Sequence, residues 1–437
     1  MYEIILGRSQ KDKEKLGDKG AIFLGKQYVK MGQTTSLSNE VLMDMVRSHV
    51  VYICGKRGSG KSYTMGVMAE GMASLPPEIK NKLSIILLDT MGIYWTMKYA
   101  NKKEDYLLKE WGIEAKPLDV QIYTPHQFHK EYAEKGIPTD FPFSIKPSEL
   151  NPADWCLSFE VTTMHPMGVL VERVINRLKE KSDDFDIDDV IKEVQQDTKS
   201  EQHVKDATEN RFLSAKSWGI FSKEGTLLKE LSKPGQVTVL DMSCYATKAD
   251  GWKIKALVVG LIAEKLFLER MVARKAEEYE AIHEAVHYFT SSEKKESFPM
   301  VWLVLDEAHE LLPREGKTAA TDALVTILRE GRQPGISLIL ATQQPAKIHT
   351  DVMTQADIVI SHRITARLDT EALAMITQTW MREGLDKAME ILPRVKGAAV
   401  VFDDVNERIY PMRIRPRFTW HGGEAPLAIG EKKNELF

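Results

Sequence analysis

The sequence predicts an α/β fold with a mostly parallel sheet. The first indication is residues 50–54, a short apolar run that leads into the glycine-rich stretch GKRGSGKS, with a helical pattern behind it. The second is that three later apolar runs end in an acid, at Asp89, Asp241 and Asp306. Continuous apolar runs are typical of strands buried on both faces, and the carboxyl ends of parallel strands meet at one edge of the sheet. That edge is therefore the expected ligand face.

Residues 55–62 have the form G-x-x-x-x-G-K-S, which indicates a phosphate-binding loop. The glycines allow a tight turn that points successive backbone N–H groups inward, and the N-terminus of the next helix adds its own amides. Lys61 is then placed for the β- and γ-phosphates, and the Ser62 hydroxyl for a Mg²⁺ ion otherwise bound by phosphate oxygens and water. A chance glycine-rich turn is the alternative, but the flanking strand and helix argue against it. The residues predicted to contact the nucleotide are Gly55, Gly58, Ser59, Gly60, Lys61, Ser62 and Tyr63.

The overall composition indicates a globular protein of the reducing cytoplasm. The chain has 437 residues, of which 43% are apolar, so it can bury a sizeable core. Its net charge of −4 provides no global basic field, so contact with nucleic acid requires a local patch or a ring of several subunits. The three cysteines have neither a disulfide framework nor a metal-ligand spacing. No signal peptide or membrane-spanning run is recognisable, so we expect a soluble cytoplasmic protein without membrane contact.

Changes in composition along the chain predict four parts. Residues 1–48 hold short strand-like runs around a charged turn, which indicates a small N-terminal β element. Residues 49–92 and 235–420 carry the apolar strands of the expected core. Residues 93–234 combine charged helical segments with a proline-rich irregular stretch and are predicted to be a largely helical insertion. Residues 421–437 form a polar C-terminal tail.

The most apolar strand of the chain, residues 298–306, ends in an acidic pair. An acid at the end of such a strand orders Mg²⁺ through water, which is the role predicted for Asp306. The adjacent Glu307 is predicted to polarise the attacking water as a general base. The alternative is a strand-to-helix turn with two solvated acids. His309 is either a switch residue near the γ-phosphate or an ordinary residue at the start of a helix.

A polar strand end and an arginine-containing turn follow. The apolar run 336–341 ends in residues 342–344, TQQ, and polar side chains at that position are placed to sense a γ-phosphate. Arg329 and Arg332 lie before this strand, in and beside the turn GRQPG. Most arginines are surface residues without a specific role, which is one interpretation of both side chains. The other is that each subunit of a ring ATPase presents an arginine-containing turn to the nucleotide of the neighbouring subunit.

With these pieces in place, the chain resembles the HerA family of hexameric DNA translocases, which are related to FtsK within the additional-strand branch of P-loop ATPases. The similarity is carried in order by residues 55–62, 87–94, 237–243, 301–313, 328–348 and 421–423. The resemblance implies a RecA-like P-loop ATPase core that uses ATP and Mg²⁺. The site residues that it implies are Lys61 and Ser62 at the nucleotide and metal, Asp306 and Glu307 as the acidic pair, Gln343 as a polar sensor, and Arg332 or Arg329 as an arginine supplied to the next subunit.

The resemblance further implies a homohexamer that hydrolyses ATP and moves along double-stranded DNA. A HerA-type helicase acts in DNA repair by processing DNA ends with a nuclease, so a NurA-like nuclease or another effector enzyme is the expected partner. The chain departs from the family at its N-terminus, where the β element is a reduced form of the usual barrel. It also has Ile93 where the family commonly has glutamate.

Two other functions remain open at the level of the sequence. One is a conjugative or secretion-type ATPase that transfers protein or DNA, because such enzymes share the same motor motifs. The other is an ATPase scaffold for an effector in a defence complex. The first predicts stimulation of the ATPase by a polypeptide or secretion partner, and the second predicts a stable complex with little stimulation.

Overall fold

A computed structural model describes most of the chain. The described residues are 3–31, 34–182, 184–248, 250–286, 298–363, 371, 388 and 392–423. The strands within them are β1 Ile4–Leu6, β2 Ala21–Met31, β3 Thr34–Asp44, β4 Val50–Cys54, β5 Leu83–Asp89, β6 Val120–Pro125, β7 Phe141–Phe143, β8 Val237–Asp241, β9 Met300–Leu305, β10 Ile336–Thr342, β11 Ile358–His362, β12 Ala398–Asp403 and β13 Arg408–Ile414. The helices are α1 Gln10–Leu16, α2 Lys61–Ala73, α3 Pro77–Lys80, α4 Asp105–Glu110, α5 His126–Glu134, α6 Pro152–Ser158, α7 Pro166–Lys181, α8 Ile187–Gln196, α9 Gln202–Lys216, α10 Leu228–Leu231, α11 Gly251–Val286, α12 Thr321–Glu330 and α13 Thr350–Gln355.

All the described strands belong to one sheet, in the order β1-β3-β2-β13-β12-β11-β4-β10-β9-β5-β8-β6-β7. The strands from β11 to β7 pair in parallel, whereas β11, β12, β13, β2 and β3 pair antiparallel to one another. The predicted α/β fold with a mostly parallel sheet is therefore confirmed. Strand β10 lies between β4 and β9, so the phosphate loop and the acidic pair lie on strands separated by one neighbour.

Both faces of the central sheet are covered, as the continuous apolar runs predict. In β4, Val51 and Ile53 pack into an apolar cluster that contains helix α2. Val50, Tyr52 and Cys54 pack into a second cluster, on helices α6 to α9, α11 and α12. Alternate side chains of one strand thus serve two cores, which explains why the run shows no polar alternation.

The N-terminal segment extends this same sheet instead of forming a separate barrel. Strands β2 and β3 have eleven residues each, longer than the sequence suggested, and β2 pairs with β13. Gly25 permits this pairing, because a Cβ there would lie 2.0 Å from the carbonyl oxygen of Arg413. The predicted charged turn is largely helix α1, which is capped by the Ser9 hydroxyl accepting from the Asp12 amide at 3.2 Å.

The stretch predicted as a helical insertion also supplies two strands to the sheet. Helices α7, α8 and α9 follow the expected pattern, and their apolar faces pack onto the core. The prediction of an irregular proline-rich stretch over residues 123–152 is wrong, since it contains the end of β6, helix α5 and β7. Strand β6 pairs with β8, with Val120 and Ile122 buried. The four-part division of the chain stays a prediction.

One sequence prediction falls mostly outside the described residues. It is the polar C-terminal tail, of which only residues 421–423 are described. Among the helices that the structure describes, none is both long enough and apolar enough to traverse a lipid bilayer.

Candidate nucleotide site

The phosphate loop connects the end of β4 to the start of α2. Gly58 has φ 73° and Gly60 has φ 116°, in the left-handed region that glycine adopts without strain. Gly55 packs so closely that a Cβ would lie 2.6 Å from the Cβ of His362. Backbone freedom and close approach, rather than side-chain chemistry, therefore account for the glycines of the motif.

Lys61 begins helix α2 and is buried, with its Nζ donating to the carbonyl oxygen of Lys56 at 3.2 Å. The ammonium group thus lies across the loop where the sequence places a phosphate. Tyr63 points elsewhere: its hydroxyl donates to Glu104 Oε2 at 2.8 Å and accepts from the Arg417 amide at 2.7 Å. Its predicted contact with the nucleotide stays a prediction.

The fold joins Ser62 to Asp306, which are 244 positions apart in sequence. The Ser62 hydroxyl donates to Asp306 Oδ2 at 2.8 Å, and Asp306 is buried at the carboxyl end of β9. The two residues assigned to the metal are therefore adjacent. Both offer oxygen donors, the type that Mg²⁺ prefers.

Glu307 lies beside this pair in a left-handed conformation, with φ 49°. Its Oε1 accepts a hydrogen bond from Gln343 Nε2 at 3.0 Å, and its buried Oε2 has no hydrogen-bond partner in the part of the chain that the structure describes. Burial, followed by the charge of Asp306, raises the pKa of Glu307 to about 7. An acid with that pKa can exchange a proton near neutral pH, as a general base must.

His309 lies among the polar side chains at the ends of β9 and β10. Its Nδ1 is 3.0 Å from Thr342 Oγ1 and 3.5 Å from Glu307 Oε2, and its Nε2 is 3.0 Å from the side-chain nitrogen Nε2 of Gln344. Burial lowers the pKa of His309, which favours the neutral ring. Of the two sequence interpretations, this position fits a residue close to the phosphate site.

A second histidine at the site was missed by sequence reasoning. His362 ends β11 and is fully buried behind the loop, with Nε2 2.9 Å from Thr64 Oγ1 and Nδ1 3.3 Å from the carbonyl oxygen of Ala398. Burial lowers its pKa to about 4. The only signal was a histidine at the end of an apolar strand, which is also found in ordinary cores.

The acids that end β5 and β8 anchor turns. Asp89 accepts backbone N–H groups from residues 91–94, at distances of 2.7 to 3.2 Å. Burial, followed by the charge of Asp241, raises the pKa of Asp89, although hydrogen bonds from the backbone of Met91, Gly92 and Tyr94 act in the opposite direction. Asp241 accepts from the Ser243 amide at 2.9 Å. These two acids shape the edge of the sheet beside the site.

The two candidate arginines lie at the opposite edge of the sheet. Arg329 Nε donates to Asp351 Oδ2 at 2.6 Å, and Arg332 Nη2 lies 3.1 Å from Asp357 Oδ2. Both side chains are 60% exposed. They precede β10, a strand of seven residues, so about 20 Å of strand separates them from the carboxyl edge that holds the phosphate loop. The fold does not bring them to the other site residues of the same chain.

A phosphate loop after β4, a paired serine and aspartate, and an additional strand between β4 and β9 define a P-loop ATPase with a RecA-like core. The family model described as "Helicase HerA, central domain" matches residues 29–263, more than half of the chain, and the chain belongs to this family. The model "Zonular occludens toxin (Zot)" matches residues 238–370. The predicted family is confirmed, and at the level of the family so is the predicted enzyme class, an ATP hydrolase.

Curated relatives carry the same family description. The chain is 26% identical over 184 residues to "DNA double-strand break repair helicase HerA" of Pyrococcus furiosus, a match that covers 39% of this chain and 31% of that protein. It is 29% identical over 133 residues to "Probable DNA double-strand break repair helicase HerA" of Methanocaldococcus jannaschii, covering 28% and 25%. The matches thus span about a third or less of these relatives.

A solved structure supports the fold independently. VirB4 of Thermoanaerobacter pseudethanolicus superimposes with a TM-score of 0.55 over 91% of this chain and 97% of that chain. The two sequences are 12% identical over this alignment. The likeness therefore concerns the architecture, which extends over nearly the whole length of both chains.

Proposed function

We propose that this protein is an ATP-driven translocase of double-stranded DNA that works as a homohexameric ring. The observation that supports the proposal is that the candidate ATP-site residues of one chain lie at two opposite edges of its sheet. Ser62, Asp306 and Glu307 gather at the carboxyl edge, whereas the exposed Arg332 lies at the amino edge. A ring places unlike edges of neighbouring subunits together, so that each nucleotide receives both halves.

Lys61 and the loop amides bind the phosphates in this proposal. The Lys61 ammonium now satisfies the Lys56 carbonyl, a neutral acceptor that a charged phosphate oxygen readily replaces. Ser62 and Asp306 hold Mg²⁺, which when bound neutralises charge on the phosphates. The proposal is supported by the 2.8 Å distance between the Ser62 hydroxyl oxygen and Asp306 Oδ2, which places the two oxygens next to each other.

Glu307 acts as the general base for the attacking water. Its pKa of about 7 lets it accept a proton at physiological pH, and Gln343 fixes one of its carboxylate oxygens at 3.0 Å. The other oxygen is buried and has no hydrogen-bond partner among the described residues, so its lone pairs remain for a water molecule that is bound together with the nucleotide. Gln343 also lies where it can respond to loss of the γ-phosphate.

DNA as substrate is supported by the family, whose curated relatives are described as DNA double-strand break repair helicases. The net charge of −4 gives the single chain no basic field of its own. Binding of DNA then depends on lysines, arginines and backbone amides that the ring brings together around the duplex. The affinity for DNA should decrease as the salt concentration rises. A role in DNA end processing with a NurA-like nuclease or another effector enzyme belongs to the same proposal.

Duplex DNA should stimulate ATP hydrolysis several-fold at low salt, and the stimulation should fall steeply as salt rises, because each phosphate contact releases counterions. The measurement is phosphate release across a salt series, on material whose oligomeric state is known. The basal rate should change far less with salt. Stimulation by a polypeptide instead would indicate a secretion-type ATPase, and stimulation by neither, with a stable effector complex, would indicate a scaffold.

Arg332→Ala subunits should be nearly inactive alone but recover turnover when mixed with Lys61→Ala subunits. At equal mixing, about a quarter of the interfaces pair an intact loop with an intact arginine. The measurement is ATP hydrolysis against mixing ratio. Arg329→Ala is the matched control, because its side chain is equally exposed on the same edge. Absence of rescue at every ratio would contradict supply of Arg332 to the neighbouring subunit.

A further inference from the structure

A chain of charged side chains leads from the N-terminal segment to Arg332. Arg8 pairs with Asp44, and Asp44 Oδ2 lies 3.4 Å from His49 Nε2. The other ring nitrogen of His49, Nδ1, is 2.7 Å from Asp357 Oδ2. The same oxygen of Asp357 lies 3.1 Å from Arg332 Nη2. We call these five residues the amino-edge network, because three of them, His49, Arg332 and Asp357, come shortly before the starts of β4, β10 and β11.

All members of the network except Arg332 are buried. The exposed fractions are 0% for Arg8 and Asp44, 2% for His49 and 4% for Asp357. Charges removed from water to this extent are tolerated only when they are paired and hydrogen-bonded. Removal of one partner therefore disturbs the others, and the geometry of the network is tightly fixed.

His49 is the cation at the centre of the network. Burial by itself disfavours a charged ring, but hydrogen bonds to Asp357 and Asp44 outweigh it and raise the pKa of His49 to about 9. The ring is thus an imidazolium at neutral pH, with a carboxylate at each nitrogen. The His49 imidazolium is therefore a buried counter-ion for the Asp357 carboxylate, in addition to the exposed guanidinium of Arg332.

The Asp357 carboxylate is fixed by the backbone as well. Its Oδ1 accepts from the Val50 amide at 2.9 Å, and the Asp357 amide donates to the Val50 carbonyl at 3.1 Å. Val50 is the first residue of β4, the strand whose last residue precedes the phosphate loop. Asp357 therefore occupies a fixed point at the start of the strand that carries the loop.

Arg332 differs from Arg329 in what holds it. The partner of Arg329 is Asp351 on helix α13, which is partly exposed and, among the described residues, contacts His349 and no member of the amino-edge network. The partner of Arg332 is the buried Asp357, which is held by His49 and by backbone. An exposed arginine with a rigid buried anchor keeps its direction at lower entropic cost than one tied to a surface acid.

We propose that Asp357, held by His49, is a positioning residue that aims the Arg332 guanidinium across the subunit boundary at the ATP of the neighbouring subunit. This inference rests on the proposed ring motor and names a part of it that the phosphate-loop and acidic motifs do not include. Strand β4 then carries the phosphate loop at one end and contacts the anchor of the arginine at the other. The same strand thus positions the phosphate loop, which binds the nucleotide of its own subunit, and the arginine that is directed at the nucleotide of the neighbouring subunit.

The test is Asp357→Asn, which keeps the shape and an acceptor for the Val50 amide but removes the charge that holds Arg332. We expect DNA-stimulated kcat to fall about 10- to 100-fold, since a small misplacement of a catalytic group has that effect. Nucleotide affinity at the phosphate loop of the same subunit should stay unchanged. Mixing with Lys61→Ala subunits should restore turnover, a result that a general loss of structure would not give. Asp351→Asn, which removes the anchor of Arg329, is the matched control and should keep wild-type turnover.

The double variant Arg332→Ala/Asp357→Asn decides whether Asp357 acts through the arginine. We expect its kcat to equal that of Arg332→Ala alone, and a loss equal to the product of the two single losses would overturn the inference. If Asp357→Asn fails to form the oligomer, Asp357→Glu keeps the charge but displaces it, and wild-type kcat for that variant would also overturn the inference. Wild-type kcat for Arg332→Ala would likewise overturn the inference. The proposed function is tested separately, by stimulation of the unmodified protein with duplex DNA.

Discussion

Lys61→Ala should abolish ATP hydrolysis, with turnover at least about a thousandfold below wild type, because the substitution removes the one buried ammonium that the phosphate loop presents. Within the described structure, Lys61 Nζ contacts the loop through the carbonyl of Lys56 only, so its loss leaves the loop backbone intact. The effect should therefore fall on phosphate binding and turnover, with little change in stability. Phosphate release and nucleotide affinity are the measurements.

The matched control for that substitution is Lys56→Ala. Lys56 lies in the same loop but its side chain is exposed, and alanine retains the carbonyl to which Lys61 donates. Lys56→Ala should keep most of the turnover. Hydrolysis at a wild-type rate by Lys61→Ala would rule out residues 55–62 as the catalytic phosphate site.

Glu307→Gln should leave ATP binding intact and reduce kcat by about a thousandfold or more. Glutamine preserves the length of the side chain and an acceptor for Gln343 Nε2, but it cannot take a proton from water. Nucleotide binding and single-turnover hydrolysis measure the two effects separately. Glu310→Gln, an exposed acid in the same turn, is the matched control and should behave like the wild type. Loss of binding by Glu307→Gln would contradict its role in activating water.

The raised pKa of Glu307 adds a pH dependence to this prediction. In the protein without nucleotide, the Glu307 carboxyl has a pKa of about 7 and is mostly protonated below that pH. Because only the ionised carboxylate can act as a base, kcat/KM should rise as the pH increases from 6 to 8. Burial penalises the charged form, so above pH 7 the glutamine variant should be more stable than the wild type, by on the order of 2 kcal/mol. Lower stability of the variant at pH 8 would indicate a structural role for the carboxylate.

Much of the core could be predicted from the sequence because its signals are local. The run of residues 83–89 becomes β5, the run ending at Asp306 becomes β9, and the loop between β4 and α2 follows from its glycines. Each depends on apolar runs, turns and helix starts that involve near neighbours in the chain. Strand β6 was missed because prolines and polar residues follow it closely and obscure a short alternating pattern.

Most residues of the candidate site could also be predicted from the sequence. The motif residues Ser62, Asp306, Glu307 and Gln343 were each named from the sequence, and the structure brings them together, although their roles stay predictions. The buried His362 was not predicted, because its partners Thr64 and Ala398 come from two segments that are distant from it in sequence. Nothing in the residues near a single histidine indicates whether such partners exist.

The sequence by itself determined the phosphate loop, the strand that carries the acidic pair and the family of this protein. Only the tertiary structure decided that Arg332 lies at the opposite edge from the loop, and that Asp357 and His49 hold it there. It also decided that the N-terminal strands continue the core sheet. The physical reason is that a loop or a strand is specified by neighbouring residues, whereas strand order and buried ion pairs depend on which distant segments pair their backbones and share a core.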